Sequence, residues 1–405
     1  MRLLYATILV ASTAFAQLVP WKVETTPIAS AGTGDPTFMF VGSPLTGPRL
    51  IVGTDPNLAG VYFWTPGQAP QVVPVGLVNA ADSRGPVLVV SSASSNTVLV
   101  FQVSDLGVIT QLDTGGFNVP TPGQIALARS TDGGFEVWVD TSSQDVEHFA
   151  MSAVVDGGVR FTSLGTITVP QTPSGLAVDD RRGRLYVAQP SLGILTVERG
   201  GATDFLVSID AGQLGVVVGG IDLFLSADGG ALLFSTAPTE EEIKIHAHAG
   251  TRATFRTTLQ VGDTDGGSGR LRFPRFLDVF EQAAPGFPRG VLVIEDGLAH
   301  NYKAVSLADV DAVFPLPPPF GGPVPPPADA GADAGAPTDG GAPGDGGSPG
   351  DGGSPGTGGG GGSGGTPSRP APGLEPVPGC GCTGGPFAVL PALFLLLLWL
   401  RRPRS

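Results

Sequence analysis

The sequence predicts an all-β fold: a six-bladed β-propeller, then a disordered Gly/Pro/Asp linker and a C-terminal hydrophobic helix. Three observations carry this. Apolar strand-like runs preceded by glycine recur every 47–49 residues through the body of the chain. No stretch of that body sustains a 3.6-residue apolar period, so helices are few. Glycine (62) and proline (39) make up about a quarter of the 405 residues, which signals a low-complexity segment.

The first element is an address. Met1-Arg2 is followed by the apolar stretch 3–11 and by Ala14-Phe15-Ala16. A positive start, a short apolar core and an Ala-x-Ala site make a secretory signal peptide over residues 1–16, cut between Ala16 and Gln17.

The body, 17–314, is built from repeats. Gly85, Gly134, Gly183 and Gly230 precede the runs Pro86–Val90, Phe135–Val139, Arg184–Ala188 and Ala231–Ser235, at intervals of 49, 49 and 47. Runs at Arg49–Val52 and Val291–Ile294 extend the series in both directions. Each run is followed about ten residues on by a second apolar strand, such as Gly60–Trp64, Val98–Phe101 or Ile194–Val197. Turns such as Asp132-Gly133-Gly134 and Asp228-Gly229-Gly230 supply the positive φ of tight hairpins. Multi-strand repeats of 40–50 residues indicate a propeller, and six units indicate six blades. A propeller closes by pairing an N-terminal strand with the last blade, and Thr37–Val41 is the candidate strand.

From 315 to 378 the chain is Pro, Gly, Ala, Asp and Ser, with Asp345-Gly346-Gly347-Ser348-Pro349-Gly350 repeated at Asp351–Gly356. Such a segment cannot bury enough apolar area to offset its ordering entropy, so a disordered stalk is expected. Residues 379–405 hold Gly379-Cys380-Gly381-Cys382, an apolar run ending at Leu400, and Arg401-Arg402-Pro403-Arg404-Ser405. The run is shorter than the ~20 residues of an ordinary spanning helix. A plain membrane anchor would have the same apolar run.

Charge and cysteine narrow the chemistry. The formal net charge is −14 and the 22 Lys and Arg are scattered, so no nucleic acid is expected as partner. Both cysteines lie in the tail, so the body has neither a disulfide nor a thiolate site.

The tail resembles a myxosortase-type sorting tag over about its last 27 residues: a small-residue Cys motif, a short apolar helix and a basic end. The resemblance implies cutting by a sorting protease near Cys380 or Cys382. It implies a mature protein held at the cell surface, on the outer membrane, through this tag.

The body resembles the β-propeller phytases, calcium-dependent enzymes that release phosphate from inositol phosphates. Gly34-Asp35-Pro36-Thr37-Phe38 is similar to the family's opening Asp-Asp-Pro-Ala-Ile. Gly76–Arg84 is similar to its Gly-x-x-Asn-Asn-x-Asp-x-Arg. Gly175–Asp180 with Gly183–Ala188 is similar to its Glu-Gly-x-x-Ala-Asp-Asp and Gly-x-Leu-Tyr-Ile-Ala. Asp263-Thr264-Asp265-Gly266 is similar to its Asp-Thr-Asp-Gly. Phe287–Gly290, Glu295-Asp296-Gly297 and Asn301-Tyr302-Lys303 are similar to its closing motifs. The matches keep family order over nearly all of 30–310.

The resemblance implies a phosphoric monoester hydrolase with calcium in the central channel, acting on a phosphomonoester such as phytate as a monomer. It makes Asp35, Asp82, Asp265 and Asp296 candidate calcium ligands. Asp82 and Arg84 become candidate catalytic residues, and Asn79 and Arg84 candidate substrate-binding residues, with Arg84 suited to bidentate phosphate contact. Several family acids are replaced. Ser174 stands where the family has a ligand Glu, and Val217-Val218-Gly219-Gly220 stands for Asp-Ile-Glu-Gly. The family's phosphate-binding lysine near Ser142-Ser143 and its arginine near Ser95-Asn96-Thr97 are absent. Fewer carboxylates imply fewer calcium ions.

Each candidate also has a plainer reading. Any one of the four aspartates can serve a turn. Arg84 can form a structural salt bridge with Asp82. Asp179-Asp180 reads as a hairpin turn, Glu240–Glu242 as a solvated loop, and His246-Ala247-His248 as an exposed strand without a third metal ligand. Two other functions fit the architecture: a non-catalytic surface propeller that binds a partner or polymer, and a metal-dependent hydrolase such as a lactonase.

Overall fold

The computed structural model describes residues 16–320, apart from 26–33, 41–48, 56–59, 66–67, 116, 131, 142–143, 199–202, 210–212, 250–251 and 264–268. The signal segment through Phe15, Asp265, the linker beyond Phe320, and the tail with Cys380, Cys382 and its expected helix lie outside the described residues.

The described chain is all-β and propeller-like, with one short helix. Four antiparallel four-stranded sheets follow chain order. The first holds β2 (Thr37–Phe40), β3 (Arg49–Asp55), β4 (Gly60–Trp64) and β5 (Gln71–Val73). The second holds β6 (Val78–Arg84), β7 (Val87–Ser92), β8 (Thr97–Val103) and β9 (Ile109–Gln111). The third holds β10 (Pro122–Arg129), β11 (Phe135–Thr141), β12 (Asp145–Met151) and β13 (Phe161–Thr168). The fourth holds β14 (Gly175–Asp179), β15 (Arg184–Gln189), β16 (Gly193–Val197) and β17 (Thr203–Ser208).

The remaining strands form one eight-stranded sheet. β18 (Ile221–Leu225), β19 (Ala231–Ala237), β20 (Glu242–Ala249) and β21 (Arg252–Gly262) lie on one side, and β22 (Leu277–Phe280), β23 (Val291–Asp296) and β24 (Asn301–Ser306) on the other. β1 (Gln17–Glu24) joins them. It runs parallel to β21 through Gln17–Pro20 and antiparallel to β24 through Trp21–Glu24. The closing strand is therefore β1. Thr37–Phe40 is instead the first strand of the first sheet, pairing only with β3. A strand next to an expected cleavage site, interrupted by Pro20, has no hairpin partner nearby to advertise it.

The glycine-preceded runs are the second strands of the sheets, and the apolar runs after them are the third. Second strands are buried on both faces, as in Val87–Ser92 and Val291–Asp296. Doubly buried strands read as continuous apolar runs, which is why they stand out in the sequence. The first strands neighbour one another in a closed order: β2, β6, β10, β14, β18, β22 and back to β2. Their ends define an axial channel.

Apolar layers fill the spaces between sheets. One joins Val89, Val100, Ile125 and Val139, across the second and third sheets. Another joins Phe38, Trp64, Phe287 and Tyr302, across the first sheet and the last strands. The helix α1 (Leu307–Val313) starts at Ser306, whose hydroxyl accepts the Ala308 N–H, and it buries Leu307 and Val310. Residues 315–320, which composition assigns to the linker, pack on the body. Leu316 is buried, Leu316 N donates to Asp311 at 2.7 Å, and Phe320 N donates to the Leu225 carbonyl at 2.8 Å.

Candidate functional site

Three first strands carry an aspartate within the strand: Asp222 on β18 and Asp278 on β22, each in an otherwise apolar segment, and Asp82 on β6, which also carries Asn79, Ser83 and Arg84. Each carboxylate accepts a backbone N–H from the next first strand around the channel. Asp82 takes Leu127 N at 2.7 Å, Asp222 takes Val279 N at 2.6 Å, and Asp278 takes Phe38 N at 2.8 Å. Strand alternation sends the flanking apolar side chains into the sheet interfaces and the carboxylates toward the axis.

The electrostatics follow from that convergence. Burial pushes Asp222 up to about 7, with Arg84 pulling down and Asp82 pushing up. Burial, then Asp222 and Asp82, raise Asp278 well above the carboxylate range. Asp35, just before β2 and at its opposite end, is buried. It is raised by burial first and then by Asp278, Asp82, Asp222 and Glu295. Asp82 is raised by burial against the pull of Arg84 and of the Leu127 and Ser83 N–H groups. Like charges that cannot separate hold protons until a cation arrives.

Arg84 is the resident cation. Its Nη1 lies 3.0 Å from Asp82 and its Nε 3.4 Å from Asp180. Burial opposes its charge, yet Asp82, Asp180, Asp222 and Glu281 hold its pKa above the usual value. Beyond it, where the first strands end, a cavity of about 600 Å³ opens, lined by Arg84, Arg129, Asp180, Arg181, Asp222, Asp278 and Glu281. Phe38, Phe280 and Phe320 supply its apolar wall. Burial raises Glu281 to about 8 against the pull of Arg84.

The structure brings three of the sequence candidates, Asp35, Asp82 and Arg84, into this channel. Asn79 is spent on the scaffold: its Nδ2 donates to the Pro122 carbonyl at 2.7 Å, and its own carbonyl accepts Asp35 N at 3.2 Å. Asp296 sits at the β23–β24 hairpin, where it accepts Ala299 N at 3.0 Å and lies 3.9 Å from Lys303. Alternation along β23 turns Asp296 away from the face of Glu295, which pairs with Arg275. The Arg84–Asp82 salt bridge and the Asp296 turn both match the plainer readings. His246 and His248 are both buried rather than exposed, because β20 is paired on both sides, by β19 and β21, and His248 bonds Tyr186 Oη at 2.7 Å. Glu240 accepts Val216 N at 2.8 Å.

Sequence reasoning passed over Asp222, Asp278 and Glu281, and took Asp180 as turn-forming. The available signal was a lone acid within a short apolar run, as in Ile221-Asp222-Leu223-Phe224 and Leu277-Asp278-Val279-Phe280. Asp179, its neighbour, is a buried anchor: Arg181 Nη2 lies 2.9 Å from it and also donates to the Gly230 carbonyl at 3.0 Å.

No protein-family model matches the chain, and no curated protein matches it. Among solved structures it is similar to a chain of BBS1N in complex with ARL6DN. That match has 11% identity, covers 64% of this chain and 74% of that one, and has a TM-score of 0.40. It is also similar to a chain of a nidogen/laminin complex, at 13% identity over 55% and 79%, TM-score 0.39. A third likeness is to a structural-genomics protein of unknown function from Bacteroides thetaiotaomicron, at 10% identity over 72% and 75%, TM-score 0.44.

Proposed function

We propose that this chain is a surface-anchored, six-bladed propeller phosphatase of the phytase-like kind, using calcium to hydrolyse phosphomonoesters. The observation that supports this reading is the convergence of Asp35, Asp82, Asp222 and Asp278 on one channel, beside Arg84, beneath a cavity open at the strand ends. The six blades rest on the closed order of six first strands.

The donor set suits calcium. Hard carboxylate oxygens are its ligands, and a divalent cation relieves the repulsion that raises these acids. Asp82, Asp222 and Asp278 would have to draw together to hold it, with Asp35 at the other end of β2, and bound calcium would neutralise phosphate oxygens and acidify a bound water. Arg84, kept charged by its four acidic neighbours, would orient a phosphate oxygen at the cavity floor. The apolar wall of Phe38 and Phe280 would limit water around the ester.

A second reading, a non-catalytic propeller that binds a partner or polymer, is favoured by one observation. Arg84 already neutralises Asp82 and Asp180, and among the described residues no three acidic, His or Cys side chains form a ready metal cage. Phosphate release from p-nitrophenyl phosphate and phytate, assayed with calcium and with a chelator, separates the two. The phosphatase reading expects calcium-dependent release that Asp82→Ala abolishes. No release under either condition leaves the binding reading.

The address at each end belongs to the same proposal: secretion with cleavage between Ala16 and Gln17, and sorting-protease processing near Cys380 or Cys382. Intact-mass analysis of native protein should then show a chain beginning at Gln17 and lacking Arg401–Ser405. A chain that retains the basic tail would overturn the processing step.

A further inference from the structure

The segment that leads into β22 carries a surface that no part of the phosphatase reading uses. Residues 269–276 read Gly-Arg-Leu-Arg-Phe-Pro-Arg-Phe, with three of the chain's 22 Lys and Arg in eight positions and no acid. Leu271 is buried, and its N–H donates to the Val261 carbonyl at 2.9 Å. With Leu271 turned inward, Arg270 and Arg272 on either side of it turn outward, and both are exposed. Among the described residues neither has an ion pair, whereas Arg275 is paired with Glu295. Phe273 follows at φ +49°, a left-handed backbone that a bulky side chain rarely adopts and that Pro274 restricts further. It is nevertheless 57% exposed. Packing holds it there: a Cβ on Gly297, in the β23–β24 hairpin, would come within 2.6 Å of the Phe273 carbonyl oxygen and 3.5 Å of its Cβ. The same hairpin presents Leu298, 56% exposed, and a second left-handed residue, His300 at φ +53°. The neighbouring acids are committed elsewhere. Glu295 is buried under Arg275, Asp296 accepts Ala299 N at 3.0 Å, and Asp263 is turned onto Gly269 and has a partner of its own. Backbone strain that displays an aromatic ring beside unpaired arginines is a mark of a binding surface.

We propose that this end of the body docks on an anionic lipid surface, with Arg270 and Arg272 on headgroup phosphates and Phe273 and Leu298 inserted at the interface. An anionic polymer or an acidic peptide would engage the arginines but give the two apolar tips nothing to enter, whereas an interfacial site uses both. The chain as a whole carries a net charge of −14, so an anionic surface repels it and turns the unpaired arginines inward. Residues 269–276 lead into the start of β22, and the cavity lies past the other end of that strand, at Glu281 and Gln282. Docking therefore points the cavity mouth away from the lipid, toward solutes. The inference is independent of the phosphatase reading and of the C-terminal tag.

The test is hydrogen exchange, read by mass spectrometry, on the whole mature chain titrated with phosphatidylcholine vesicles with and without phosphatidylglycerol, and with dextran sulfate. The C-terminal apolar run is common to every variant, and reading exchange segment by segment separates its contribution from that of the body. The expected result is protection of residues 269–276 and 297–301 by the anionic vesicles and not by the neutral ones. Arg270→Gln combined with Arg272→Gln should raise the lipid concentration for half-protection about thirtyfold, the product of roughly fivefold for each arginine at an anionic surface. Phe273→Gly removes the ring and relieves the left-handed backbone. It should therefore unfold no earlier than the wild type and still weaken the vesicle footprint, which a purely structural role for Phe273 would not produce. Equal protection by neutral and anionic vesicles, or protection confined to other segments, overturns the proposal. Protection by dextran sulfate that matches that of anionic vesicles, with no effect of Phe273→Gly on either, identifies an anionic-polymer site and overturns lipid docking.

Discussion

His246 is fully buried on β20, and neither ring nitrogen has a hydrogen-bond partner. Burial first, and then the charge of Lys244, lower its pKa from 6.5 to about 4. The unfolded chain therefore takes up a proton that the folded chain refuses. Stability is unaffected above pH 6.5 and falls as pH drops toward 4, by about 1.4 kcal/mol per pH unit. His246→Phe should flatten this decline and leave the variant about 2 kcal/mol less acid-sensitive between pH 6.5 and 5. Denaturant melts at both pH values check it, and equal slopes for both proteins would refute it. Asp140 on β11 shows the opposite sign. Burial raises it to about 8, and its Oδ1 has no partner. Here the folded chain keeps a proton that the unfolded chain releases, so stability is full below about 4 and is lost as pH rises toward 8. Asp140→Asn should remove that alkaline loss, visible as a flatter stability profile between pH 6 and 8.

At the scale of the strand, the channel aspartates work as bridges between neighbouring first strands. Asp278 satisfies Phe38 N of β2, a short strand whose only strand partner is β3 and which Ser83 of β6 also bonds. Asp278→Ala should cost about 1–3 kcal/mol, the penalty of leaving a half-buried N–H without an acceptor. Asp278→Asn keeps an amide oxygen for that N–H and removes a charge that repels Asp222 and Asp82. It should therefore match or exceed the wild type in denaturant midpoint at pH 8. If both variants lose stability equally, the bridge is not what Asp278 contributes. The same strands explain what the sequence made legible. The doubly buried second and third strands, such as Val87–Ser92, announce themselves by continuous apolar runs and by glycine turns at a fixed interval. The first strands β18 and β22 are only five and four residues long and each is broken by an aspartate, so they blend into loops, and Asp222 and Asp278 with them. Asp35, Asp82 and Arg84 were legible only because ordered motifs surround them. Asp296, in an equally good motif, faces the other side of β23, a difference of one residue in register that the motif does not encode.

For the whole molecule, the decisive quantity is the imbalance of charge stored on the axis. Asp35, Asp82, Asp222 and Asp278 share one buried cation, Arg84, and each is raised by burial or by its neighbours. A ring of strands held by its own inter-strand bonds tolerates this stress, but a ligand that relieves it binds the folded state and not the unfolded one. Calcium should then raise the thermal midpoint in proportion to the logarithm of its concentration, reaching about 2.7 kcal/mol of stabilisation at a hundredfold excess over its dissociation constant. The relief should depend on the axis and not on surface charge. Asp82→Ala, which removes one of the converging carboxylates, should shrink the calcium shift, whereas Asp105→Ala, on an exposed turn of the second sheet, should leave it whole. Equal shifts in both variants would mean that calcium acts at the surface. No shift in the wild type would mean that Arg84 alone balances the axis, which is the electrostatic condition the non-catalytic propeller requires.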